Sequence, residues 1–213
     1  MPGLNLEALF SRVYQAIRQS GQGLLKRVLA RSPAEDAEER ERSGQGPAYM
    51  SLEGGQDQGD ITRGCNAGES VGSVFQEDRK NAFLVRAFAH GLILPIHAPS
   101  GWITGPRCHH PLMITKIFDR SSPLLYMALI RGERFARCTI RWYRRKADDT
   151  LEHYFTHVME DAVVVRMAPH VPMTQNPEWE GKTHLETVCF TYRSIFWKHE
   201  ILGTEGTDNW RKR

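Results

Sequence analysis

The sequence predicts a mainly β fold with one packed α-helix, preceded by a helical extension. Three observations carry that reading. From Ala48 onward the apolar residues recur mostly with a period of two, the pattern of strands covered on one face. Only one later stretch, Ser121 to Gly132, combines helical spacing with helical start and stop signals. Residues 1–46 differ from the rest in both pattern and charge.

A chain of 213 residues has room for one domain of generous size plus an extension. Its 40% hydrophobic and 25% charged residues, with a net charge of +3, are those of an ordinary soluble protein. That charge is too weak to argue for nucleic acid, and there is no basic stripe interleaved with aromatics. No apolar run approaches the roughly 18 residues of a membrane helix. The N-terminus shows a helical pattern with scattered arginines, not the charged start, apolar core and cleavage site of a secretory signal. Cys65, Cys108, Cys138 and Cys189 are widely spaced, without a Cys-x-x-Cys pair. They read as reduced, buried thiols of a cytosolic protein rather than a disulfide framework.

Taken in order, Leu6, Leu9, Phe10, Val13 and Ile17 mark one face of an amphipathic helix. Leu24, Leu25, Val28 and Leu29 mark a second segment. Between Leu4 and Arg31 five Lys or Arg face one Glu; from Ser32 to Gly46 two Arg face five acidic residues. A basic amphipathic segment followed by an acidic, Gly/Ser/Pro-punctuated linker reads as a mobile or poorly ordered appendage, with its boundary near Pro47. Arg12 and Arg18 make contact of residues 1–31 with a lipid surface one option for it.

Beyond the boundary, Ala48, Met50 and Leu52 alternate with Tyr49, Ser51 and Glu53 before Gly54-Gly55 turns the chain. Asp60 to Cys65 reads as a second short run, and Phe83 to His90 alternates again. Pro95 to Pro111 also contains Pro99, Pro106, Gly101 and Gly105, and is too long for a hairpin turn. Connections of that length inside a compact domain are usually functional. Leu112 to Phe118 is a strand leading into the helix.

In the helix, Ser122 is placed to cap the first turn and Pro123 suits the first helical position, where its missing N–H costs nothing. Gly132 closes it and Arg131 complements the dipole in the last turn. Leu124, Leu125, Ala128 and Leu129 form one apolar stripe. Burying Leu125 and Leu129 contributes roughly 1.5–3 kcal/mol each.

Four strand-like runs follow. Cys138 to Arg145 has one face of Cys138, Ile140 and Trp142 and one basic face; Asp148-Asp149 turns the chain into Leu151 to Val158. Ala162 to Met167 is continuously apolar, as a strand covered on both faces would be. In His184 to Glu200, Val188, Phe190 and Tyr192 share a face, but the apolar set resumes at Ile195 and Trp197. That step of three predicts a bulge or sharp bend near Arg193-Ser194.

The chemical candidates are weak. Gly68-Glu69-Ser70-Val71-Gly72 matches the nucleophile elbow, but no strand–helix alternation surrounds it, so it reads as a turn. Cys108-His109-His110 and the pair His153 and His157 raise metal binding. Along a strand His153 and His157 lie about 13 Å apart, too far to share one ion. Glu152, Glu160, Asp161 and Glu186 form no pair suited to acid–base work. The residues alone thus indicate a non-enzymatic β domain with a long working loop.

Several segments recur in a familiar order: Asp60-Ile61-Thr62-x-Gly64, Leu84 to His90, Thr104-Gly105-x-Arg107-x-His109 and Ile114-Thr115-Lys116. Asp119-Arg120-Ser121-Ser122-Pro123-Leu124-Leu125-Tyr126-x-Ala128-Leu129, Trp142-Tyr143-Arg144, Glu152-His153-Tyr154-Phe155 and Phe190 to Glu200, through Trp210, complete the set. Over residues 47–210 the chain resembles the haemolysin-coregulated protein family, the tube subunit of bacterial type VI secretion systems.

The resemblance implies a compact two-sheet β-barrel with one flanking α-helix, spanning residues 47–213 and assembled as a homo-hexameric ring. Rings in such proteins stack into a tube inside a contractile sheath, below a spike protein, and carry small effector proteins in the lumen. The tube waits in the bacterial cytoplasm and is then secreted to the outside or into a target cell. No catalytic residue, metal or cofactor is implied. The loop that packs rings together maps to Pro95–Pro111, which makes Trp102, Arg107, His109 and His110 the expected stacking residues. Trp102 is a large apolar group in a segment expected to be exposed.

Two departures stand out. His109-His110-Pro111 replaces the His-Lys-Pro common in relatives, exchanging a permanent charge for a titratable one. Residues 1–46 have no counterpart in the usual pattern: they are either an extension with its own targeting or delivered role, or a start codon assigned too far upstream. Three rivals remain open at this stage, a Ser70 hydrolase, a metalloprotein at His109 and His110, and a monomeric binding module.

Overall fold

The computed structural model describes residues 45–55, 60–72, 77–170 and 184–209. The readings made for residues 1–44 lie outside these. Gln45–Glu53 (β1) opens the fold, followed by the one-turn helix Gly68–Val71 (α1). Phe83–Val85 (β2), Ala87–Ala89 (β3), Leu92–Ile93 (β4), Cys108–His109 (β5) and Leu112–Ile117 (β6) lead into the helix Ser121–Arg131 (α2). After it come Arg134–Arg145 (β7), Leu151–His170 (β8), Leu185–Thr191 (β9), Ser194–His199 (β10) and Glu205–Asn209 (β11).

These strands form two sheets, as expected. The larger has nine strands, with the path β2-β1-β7-β8-β9-β6-β3, β10 on β8 and β11 on β10; β4 and β5 form the smaller. The two ends of that path are consecutive in the chain. The run from Phe83 to His90 divides at Arg86, whose N–H donates to the Thr115 carbonyl at 2.7 Å. Its first half pairs with β1 and its second with β6. No ladder joins β2 to β3 among the described residues, so the large sheet is left open there rather than closed into a barrel by hydrogen bonds.

The core fills the space that this path curls around, with Met50, Ile140, Met159, Val188, Phe190 and Ile195 all fully buried. Leu125 and Ala128 of α2 are also fully buried, and Leu124 and Leu129 pack at its edge, so the expected stripe is the face that covers the core. Gly132 (φ 63°) closes α2: its N–H and that of Glu133 reach back to the carbonyls of Leu129 and Ala128, at 3.2 and 2.9 Å.

The start of α2 differs from expectation. Ser121 is the first helical residue and Pro123 the third. The capping oxygen belongs to Asp119, which accepts the Ser121 N–H at 2.7 Å. Ser122, the second helical residue, reaches back to it: its hydroxyl accepts the Asp119 N–H (3.1 Å) and Lys116 Nζ (3.2 Å) and donates to Glu186 (2.6 Å). Lys116 also reaches Asp119 at 2.9 Å and Glu186 at 2.8 Å. Glu186, unpaired in the sequence reading, is thus half of a cross-strand ion pair between β6 and β9.

Three strand expectations are revised. Residues 61–66 form consecutive turns rather than a strand, held by Asp60 Oδ1, which accepts both the backbone N–H and the hydroxyl of Thr62. The two runs from Leu151 to Met167 are one strand of 20 residues that passes through Asp161 at φ 51°. Ala162 to Met167 is not covered on both faces. A register shift between Val164 and Arg166 pushes Val165 outward, where it is 43% exposed. The break near Arg193-Ser194 is present: β9 ends at Thr191 and β10 begins at Ser194, and the Arg193 N–H bonds to the Glu160 carbonyl between them. β11 carries no apolar alternation and was not foreseen.

Candidate functional site

The long connection is itself a two-legged arm rather than an irregular loop. β4 and β5 pair antiparallel at its base, with Leu92 opposite His109 and Ile93 opposite Cys108. An isolated bridge joins Ile96 to Ile103, and the His97 and Thr104 N–H groups bond to the carbonyls of Trp102 and Pro95. The tip turns at His97 to Gly101, where the Ser100 hydroxyl meets His97 Nδ1 at 2.8 Å and Gly101 takes φ 71°, a conformation that suits glycine. Prolines at 95 and 106 interrupt the two legs, and Pro99 lies in the tip.

The arm exposes an unusual amount of apolar surface. Trp102 is 77% exposed, and Ile96 and Ile103 at the facing bridge are 60% and 64% exposed. Leu92, Ile93 and Leu94 are exposed along the incoming leg. A single exposed apolar residue needs no explanation, but six on one short hairpin are more than an isolated surface position accounts for.

The base of the arm is polar and enclosed. His109 Nδ1 lies 2.7 Å from the Tyr192 hydroxyl, and its Nε2 lies 2.7 Å from Asp208 Oδ2. The other leg reaches the same phenol, with His90 Nε2 at 2.7 Å. Arg107 donates through Nε and Nη2 to both oxygens of Asp208, and at 3.3 Å to the carbonyl of Asn209. Because a carboxylate only accepts, His109 Nε2 carries a proton toward Asp208. In the neutral ring Nδ1 then accepts the Tyr192 hydroxyl, and Tyr192 in turn accepts from His90 Nε2–H.

The electrostatics follow from these contacts. Bonding to Arg107, with a lesser contribution from His109, holds the Asp208 carboxyl below its usual range. Burial, and then the nearby His109 and His110, push His90 down to about 4. Burial pushes the Tyr192 phenol up. Behind the base, Trp142 Nε1 donates to His157 Nδ1 at 2.8 Å, and burial lowers His157 to about 4.

Of the expected stacking residues, Trp102 stands free on the arm. Arg107 is spent on Asp208 of its own chain, and the His109 side chain is only 2% exposed. His110 turns its ring inward against Gly91, its Nε2 buried. The two histidines therefore lie at the arm base and not on its outer surface. Sequence reasoning missed His90, Tyr192 and Asp208. A signal for Tyr192 existed, since a core tyrosine at a strand break needs a partner for its hydroxyl.

The other chemical candidates are occupied structurally. Ser70 accepts the Arg120 N–H at 2.8 Å, tying α1 to the start of α2. His153 and His157 sit on one strand, bonded to Thr156 and Trp142. Glu152 pairs with Arg144, and Glu160 and Asp161 with Arg193 and Arg134. Among the described residues no helix is long and apolar enough to cross a membrane.

Comparison with known proteins places the fold. Residues 49–199 match the family described as Type VI secretion system effector, Hcp. The "Major exported protein" of Pseudomonas aeruginosa is 47% identical over 165 residues, 78% of this chain and 95% of that protein. A solved structure titled "Crystal structure of Hcp protein" aligns with TM-score 0.75 and 32% identity, over 78% of this chain and 99% of that one. The secreted protein Hcp3 from Pseudomonas aeruginosa aligns with TM-score 0.65 and 43% identity, over 78% and 99%. With a family match over most of the chain and an exported relative sharing nearly half its residues, the chain belongs to the haemolysin-coregulated protein (Hcp) family, the tube proteins of the type VI secretion system.

Proposed function

We propose that this tube protein closes into a six-membered ring and that rings stack through the arm. The observation that carries this reading is the exposed apolar set Leu92, Ile93, Leu94, Ile96, Trp102 and Ile103, displayed on one hairpin that projects by only two short strands. Burying such a set against a neighbouring ring removes it from water, at roughly 25 cal/mol per Å² of apolar area. A ring needs identical head-to-tail contacts between subunits, each of about 1,600 Å² for a stable specific interface. The stacked tube lies within a contractile sheath below a spike, with small effector proteins in its lumen; it forms in the bacterial cytoplasm and leaves the cell on firing. The role is structural, without catalysis.

Native mass spectrometry of the full chain tests the assembly. A mass of six subunits, with electron micrographs showing columns of rings, is the expected result. A stable monomer at micromolar concentration overturns it and favours a simple binding module.

A further inference from the structure

Both legs of the arm end on one phenol. His90 enters the arm and His109 leaves it, and each places a ring nitrogen 2.7 Å from the Tyr192 hydroxyl. Tyr192 itself is fixed, 1% exposed in the gap between β9 and β10. One step outward the outgoing leg is held again. Arg107 grips both oxygens of Asp208 on the edge strand β11, and His109 shares one of them. At its base the arm has the two-residue β4–β5 ladder and the bond from the His110 N–H to the Gly91 carbonyl at 2.9 Å, and farther out the single bridge from Ile96 to Ile103. So short a ladder does not set a direction by itself, because an isolated hairpin is marginal in water.

We propose that Tyr192 and Asp208 form a latch that sets the angle of the arm, with Arg107 and His109 acting as its hooks rather than as contacts to a neighbouring ring. The residues that touch the next ring are then the apolar ones farther out, and the C-terminal strand β11 controls their placement. The donor chain from His90 through Tyr192 and His109 to Asp208 satisfies every group in it, so removing one link leaves a buried polar atom without its partner. The stacking consequence rests on the proposed role of the arm, whereas the latch itself does not.

Hydrogen–deuterium exchange on the full chain reads the latch directly. In Asp208→Asn and in Tyr192→Phe, amides of residues 91–94 and 107–110 should exchange about tenfold faster, while those of β6 and β9 keep their rates. The exchanged pair Arg107→Asp with Asp208→Arg should restore slow exchange, because an arginine at 208 can donate to His109 and the chain of donors then runs in the opposite sense. Asp208 sits on an edge strand, so Asp208→Asn gives a folded test even where Tyr192→Phe unfolds. Unchanged exchange at the arm base in Asp208→Asn, or failure of the exchanged pair to restore it, overturns the latch. Tube length measured on the same samples separates the two ideas. Faster exchange with shorter tubes supports both, and faster exchange with normal tubes keeps the latch and removes the arm from stacking.

Discussion

Lys116 and Glu186 face each other across β6 and β9 at 2.8 Å, with neither side chain exposed to solvent. The same ammonium bonds to Asp119 and Ser122 and lies 5.4 Å from the centre of the Phe83 ring. One buried cation therefore joins the sheet, the capping residue of α2 and the end of the strand path. Cys65 lies in its surroundings, and burial pushes that thiol up to about 12. Removing the cation strands two buried carboxylates, so Lys116→Ala should cost about 3–5 kcal/mol. For a domain of this size that lowers the thermal midpoint by about 6–20 °C. The paired change Lys116→Met with Glu186→Gln should cost clearly less, because it removes both charges together. Melting curves at one fixed concentration decide the matter, and equal losses in the two variants would show that packing, not charge, dominates.

Stability should fall in mild acid. His90 and His157 are held neutral in the fold, each lowered to about 4, mainly by burial. The unfolded chain binds protons on both near pH 6.5, so between about pH 6.5 and 4 the unfolded state holds more protons than the native one. Their contribution is therefore complete above about pH 6.5 and is lost as pH falls toward 4, at most about 3 kcal/mol for each. Groups facing them include His109, His110, Asp208 and Arg107 at the arm base and Trp142 behind it. His157→Gln, which can still accept the Trp142 N–H, should flatten the dependence. A midpoint that stays constant from pH 7 to pH 4.5 would contradict the buried, neutral state of both rings.

Trp102→Ala separates folding from assembly. At 77% exposure the indole contributes little within its own chain, so the midpoint should move by less than about 0.5 kcal/mol equivalent. Ring mass should be unchanged while columns of rings become shorter, seen by electron microscopy. Loss of single rings instead would place the arm in the lateral contact between subunits.

The alternation of the strands was legible because one face of each is buried, and the start, stop and stripe of α2 were legible because capping chemistry is local. What was missed depends on partners distant in sequence. Phe83 to Ala89 keeps one period throughout, yet changes partner at Arg86, and nothing in the alternation marks where a strand leaves one neighbour for another. Glu160 and Asp161 look like a turn between two runs, but β7 and β10 on either side hold β8 through them. Ser122 is a good cap by type, but Asp119 caps the first turn, while the Ser122 hydroxyl accepts the Asp119 N–H and bonds a buried lysine six residues earlier. The arm base joins His90, His109 and Asp208 to Tyr192 or to each other across 83 to 102 residues. No spacing rule reaches that far. The step of three at Arg193-Ser194 was the exception, because a change of face within one strand has a local signature even when its cause is distant.

β1 begins at Gln45, whose partner on β7 is Arg144, and the buried residues of that strand start at Ala48. Among the described residues, its ladders with β2 and β7 run from Gln45 onward. Residues 4–31 carry a basic amphipathic pattern and residues 32–46 an acidic one. Deleting residues 1–44 should leave the thermal midpoint and the ring mass unchanged, while altering secretion or the capture of a partner. The cut must fall before Gln45, since a cut at Pro47 removes the outermost pair of the β1–β7 ladder. Aggregation of the truncated chain, or a midpoint lower by about 5 °C or more, corresponds to roughly 1–2 kcal/mol and would make the apolar stripe from Leu6 to Ile17 part of the core.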